Sequence, residues 1–149
     1  LSLKLDSINI ASMEQNPNDQ TLVQILKDKI PNLRLLYFFG SAAIGEENKE
    51  SDIDLAFLSS DKIGQVERFN IQCDIANILN RDVDLVDLKQ ASEVMRAEVL
   101  ISGRLIFCVD PNEQAEYEVL VCSRYAHLNE ERAEILTDFY SSDSTDGHR

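Results

Sequence analysis

Residues Leu33 to Leu58 read LRLLYFFGSAAIGEENKESDIDLAFL, and this stretch decides the fold. An apolar run breaks at Gly40-Ser41, ten mostly polar residues follow, and a second apolar run opens with Asp52-Ile53-Asp54. Leu33–Phe39 is apolar on both faces, which predicts a central strand. Asp52 and Asp54 stand two apart on the next strand, so their side chains leave the same face, roughly 6–7 Å apart at Cβ. Carboxylates held that close repel each other. Bridging divalent cations relieve the repulsion, and hard oxygen ligands suit magnesium. Gly40 and Ser41, after a strand and before a short helix, offer free N–H groups and a hydroxyl to a phosphate. Alone, a D-x-D is usually a solvated strand edge and a Gly-Ser a turn. Together they outline a nucleotide-handling site.

The flanking sequence supplies the rest of a mixed α/β (α+β) domain with a sheet of about four strands. Asn16-Pro17 starts a helix whose face is Leu22, Val23, Ile25, Leu26 and Ile30, stopped by Pro31. Ile53, Leu55 and Phe57 must be core, which pins the register and keeps both aspartates together. The acids Glu46, Glu47 and Glu50 of the intervening loop read as solvated. Gly64–Asn80 predicts a helix with an inward stripe of Val66, Phe69, Cys73, Ala76 and Leu79 or Asn80, which makes Cys73 a core residue. RDVDLVDL, residues 81–88, predicts a third strand with Asp82, Asp84 and Val86 on one face and Val83, Leu85 and Asp87 on the other. If that strand neighbours the second at about 4.8 Å, one of its aspartates joins the first pair. Asp84, inside the strand, is preferred and Asp82 is the alternative; Asp87 reads as a strand-end surface acid. Ser92–Ser102 is a helix capped by Ser92, ended by Gly103, with Met95, Val99 and Leu100 inward. Arg96 and Arg104 stand near the site-bearing elements, as phosphate holders or as surface charges. Arg104–Val109 is a fourth strand.

Asp110-Pro111-Asn112-Glu113 then opens a long last helix. Its stripe of Tyr117, Val121, Tyr125, Leu128, Ile135 and Phe139 either packs on the sheet or docks a partner. His127 reads as a surface residue. Residues 1–12 precede Met13 and read as a leader, 13–140 as one domain, and 141–149 as a polar tail without order.

Gly40-Ser41, ten residues, then Asp52-x-Asp54 resembles the signature of the nucleotidyltransferase superfamily that includes DNA polymerase β, and V-D-L-V around Asp84 resembles its third-carboxylate segment. The small size is similar to that of the minimal nucleotidyltransferases, the MntA-type antitoxins paired with HEPN toxins. The resemblance implies a polymerase-β palm-like fold. It implies two magnesium ions held by Asp52, Asp54 and Asp84, with Gly40 and Ser41 on the triphosphate of ATP. The expected reaction transfers AMP to a tyrosine of a HEPN-type ribonuclease toxin and silences it. Two competing functions are an aminoglycoside-type nucleotidyltransferase, for which the chain is short, and a binding-only antitoxin, which has no need of clustered acids.

The 149 residues suffice for one core, and 44% apolar with 28% charged content is ordinary for a globular chain. A net charge of −13 argues against unassisted nucleic-acid binding and favours a basic partner. No apolar run approaches the ~20 residues a bilayer span needs, so no membrane role is expected. Cys73, Cys108 and Cys122 lack CxxC spacing and fit a reducing cytoplasm rather than disulfides or zinc.

Overall fold

The computed structural model describes residues 17–40 and 52–147, with side chains over 19–40 and 52–138. Ser41, the acids Glu46, Glu47 and Glu50, the leader and the side chain of Phe139 lie outside those limits. The elements are α1 (Pro17–Lys29), β1 (Leu33–Phe39), β2 (Ile53–Ser59), α2 (Gln65–Leu79), β3 (Val83–Asp87), α3 (Glu93–Ser102), β4 (Arg104–Cys108) and α4 (Pro111–Gly147). The strands form one mixed sheet in the order β3-β2-β1-β4. β1 runs antiparallel to β2 and β4, while β2 and β3 are parallel. The expected mixed four-stranded sheet, flanking helices and long last helix are all present.

Strand alternation divides the core into two layers. Leu36, Phe38, Ile53, Leu55, Phe57, Val83 and Leu85 meet Leu22, Leu26 and Ile30 of α1 and Ile71 and Ile75 of α2. On the opposite face, Leu35, Tyr37, Phe39 and Ala56 meet Val99 of α3, with Met95, Leu100 and Tyr117 packed against them. β1 is buried at every position but Arg34, as an interior strand between two helical layers must be.

α2 departs from the expected orientation. Val66 and Phe69 are exposed, as is Cys73, while Ala76 and Leu79 of the expected stripe do pack against the core beside buried Ile71 and Ile75. The reason lies on β3, an edge strand whose unpaired groups need partners. Gln72 Oε1 accepts from Leu85 N–H at 3.0 Å, and Arg68 Nη1 donates to the Leu85 carbonyl at 2.8 Å. Satisfying that edge places Arg68 and Gln72 inward and turns the Val66–Cys73 stripe to solvent. Asp87 is likewise buried rather than a surface acid. Its Oδ1 accepts from Lys89 N–H at 3.0 Å, and its carbonyl accepts from Gln90 and Ala91, so it closes the turn after β3.

α4 opens as its first residues require: Asp110 Oδ1 accepts from Asn112 N–H at 3.0 Å, and Glu113 pairs with Arg34 at the start of β1. It continues to Gly147, through residues for which the sequence predicts a tail without order. No proline or glycine interrupts it before that point.

Candidate active site

The carboxylates gather where β2 and β3 begin and β1 ends. Parallel pairing sets Asp54 level with Asp84, and antiparallel pairing sets Asp54 beside Phe39. Asp54 thus sits in mid-sheet, with an acid on one side at about 4.8 Å between strands and a buried aromatic on the other. Asp52, one step before β2, leaves the same face as Asp54. The Asp54 carboxyl is pushed above its ordinary value of 3.8, first by burial and then by the charges of Asp84 and Asp52. Asp82, one step before β3, has a backbone carbonyl that accepts from Ile53 N–H at 2.9 Å and so aligns the two strands.

Gly40 follows β1 with φ +81, in the left-handed region where a side chain is strained. A Cβ there would lie 2.1 Å from Asp54 Oδ2 and 3.0 Å from its Cγ. The glycine therefore makes room for the carboxylate as well as for the turn. Ser41 belongs to the residues not described.

Two residues outside the motif shape this corner. Phe39 is the cross-strand neighbour of Asp54 and part of the second core layer. Gly103, between α3 and β4, leaves no room for a Cβ, which would fall 2.8 Å from Phe39 Cβ and 3.0 Å from the Phe38 carbonyl. From sequence it is only a helix stop. A glycine directly before a strand was the available signal of close backbone approach.

The two arginines are not brought to the acids. Arg96 donates through Nε to the Leu88 carbonyl at 2.7 Å and through Nη2 to that of Lys89 at 2.9 Å. That is the far end of β3, roughly 13 Å along the strand from Asp84. Arg104 forms an ion pair with buried Asp19 of α1 and stacks on the Phe38 ring, on the opposite face of the sheet. Both hold structure together. His127 is exposed and paired with Glu131 at 3.1 Å, as a surface residue should be.

Among the described residues no three His, Cys, Asp or Glu side chains converge on one ion position. This is compatible with magnesium, which keeps several waters and takes one or two carboxylates plus substrate phosphates rather than an all-protein cage. The mutual repulsion at Asp54 is the electrostatic condition a divalent cation relieves, so the donor set fits. No helix among the described residues is long and apolar enough to cross a membrane.

Residues 20–112 match the family described as polymerase beta, nucleotidyltransferase. The chain belongs to that family. Within this nucleotidyltransferase family it is 34% identical over 135 residues to the protein adenylyltransferase MntA of Shewanella oneidensis, covering 91% of this chain and 96% of the relative. It superposes with TM-score 0.75 and 36% identity on a chain of a toxin–antitoxin crystal structure with AMP-PNP, covering 81% of this chain and 97% of that one. A third match, TM-score 0.69 at 34% identity over 81% of this chain and 94% of the other, comes from the tri-AMPylated Shewanella oneidensis HEPN toxin in complex with its MNT antitoxin.

Proposed function

We propose that this nucleotidyltransferase is an antitoxin that transfers AMP from ATP to a tyrosine hydroxyl of a cognate HEPN ribonuclease toxin, and so neutralises it. The observation that carries the chemistry is Asp54 in register with Asp84 beside a glycine whose missing Cβ the Asp54 carboxylate occupies. The acceptor and donor are supported by the relatives: an adenylyltransferase, an AMP-PNP complex and an AMPylated toxin.

Asp52, Asp54 and Asp84 would hold two magnesium ions, which neutralise triphosphate charge and lower the pKa of the attacking hydroxyl. Gly40 and Ser41 bind the β- and γ-phosphates through backbone N–H groups and the serine hydroxyl. The tyrosine oxygen attacks the α-phosphorus in line, the bond to the bridging oxygen breaks, and pyrophosphate leaves. Asp84, the more exposed of the two paired acids, accepts the phenolic proton. Phe39 of β1, paired with Asp54 of β2, belongs to the second core layer, so one side of the Asp54 carboxylate meets apolar surface and its charge is less screened there. The protein mainly positions and neutralises.

The test is to mix the purified chain with its cognate toxin, ATP and magnesium and to weigh the toxin by mass spectrometry. Gains in steps of one AMP, abolished by joint Asp52→Asn and Asp54→Asn replacement while the complex persists, support the reading. A stable complex with no mass gain supports blocking without chemistry instead.

A further inference from the structure

The inward stripe of α4 does not stop where the sheet stops. Tyr117 packs on the second core layer, Val121 is buried, Tyr125 and Leu128 are half-buried, and every residue from 129 to 138 is exposed. Ile135 continues the same helical face at 66% exposure, with Leu136 next to it at 54%. At 1.5 Å per residue the helix is ~55 Å long, and it leaves the domain past a shallow cavity of about 240 Å³ lined by Glu93, Arg124, His127 and Leu128. Beside the apolar ridge runs an acidic one. Glu130, Glu134 and Asp138 are spaced by four, so they stack along one side of the helix. Like charges at that spacing weaken an isolated helix.

We propose that the exposed stretch 129–138 of α4, centred on Ile135 and Leu136, is the docking surface for the basic ribonuclease toxin; the proposal rests on the antitoxin reading above. Charge selects the occupant. An RNA-cutting protein must present a cationic surface to phosphates, and that surface complements the acidic ridge. A second copy of this chain would instead bring another −13 of net charge and the same acids to the contact. The surface is also remote from the chemistry. α4 begins at Arg34, at the end of β1 opposite Gly40, and passes the start of α3, which follows the far end of β3. Docking therefore tethers the toxin and raises the local concentration of its acceptor segment without touching the reacting atoms.

The test uses the full chain carrying Ile135→Glu and Leu136→Glu together, with purified cognate toxin. Melting and ATP affinity serve as controls for the fold. Loss of the apolar centre should weaken toxin binding at least about tenfold, and raise the KM for toxin in parallel while kcat changes little. Binding by the unaltered chain should weaken at high salt. Undiminished toxin binding by the variant overturns the proposal, as does a dimer of the unaltered chain alone, seen by light scattering, that the variant splits. If the unaltered pair binds but no AMP is transferred, the transferase reading fails while the binding comparison still decides the docking surface.

Discussion

Gly40→Ala separates the site geometry from general stability. At φ +81 an L-residue loses about 1–2 kcal/mol relative to an unstrained conformation. The added methyl would stand 2.1 Å from Asp54 Oδ2, where real contacts keep at least 3.0 Å, so the carboxylate must shift by close to an ångström. A displacement of that size costs on the order of 100-fold in turnover. The strain alone lowers the melting temperature by about 2–8 °C for a chain of this size. The assay is steady-state AMP transfer to the toxin beside thermal melting. Gly103→Ala is the comparison: its methyl strikes the Val99 carbonyl at 2.4 Å and Phe39 Cβ at 2.8 Å, so it should destabilise at least as much. It moves no acid directly, however, and its loss of turnover should be smaller. A folded Gly40→Ala variant with unchanged turnover would refute the fit between that glycine and the Asp54 carboxylate.

Asp54→Asn should abolish transfer yet stabilise the fold at neutral pH by on the order of 0.5–1 kcal/mol, the scale of partly solvated charge interactions. Because the folded-state value is raised, the ionised acid opposes folding above it; the gain from asparagine should shrink as pH falls and vanish below 3.8, as urea titrations across pH would reveal. Arg104→Ala leaves Asp19, 3% exposed, without its cation. We expect a loss of ~2–3 kcal/mol, below the full value for a buried pair because Arg104 is half-exposed, with no change in the KM for ATP; a selective rise in that KM would restore Arg104 to the phosphate site. Gly64 caps α2 with extended backbone, no side-chain bond and open space around its Cβ position. Gly64→Ser should therefore stabilise by about 0.3 kcal/mol, the few tenths by which serine exceeds glycine at an N-cap, and an unchanged urea-unfolding midpoint would count against it.

Spacing alone determined the elements that carry the chemistry. A period of two places Asp52 and Asp54 on one face of β2, and the core demand of Ile53, Leu55 and Phe57 fixes that face, so both acids follow from local geometry. The caps of α3 and α4 were legible for the same reason: Ser92 and Asp110 act on N–H groups two or three residues away. What only the tertiary structure decided depends on partners distant in the chain. Asp84 reaches Asp54 because β3 lies parallel to β2 in that register. α2 seats Ile71 and Ile75 inward with Arg68 and Gln72 beside them, because the edge strand β3 needs a donor and an acceptor at Leu85, and this rotation leaves Val66, Phe69 and Cys73 in solvent. Arg104 serves Asp19, 85 positions away, and Arg96 holds the chain after β3, so neither charge could be assigned from its neighbours. A residue's period reports which way it points; what it meets there is set by how the elements assemble.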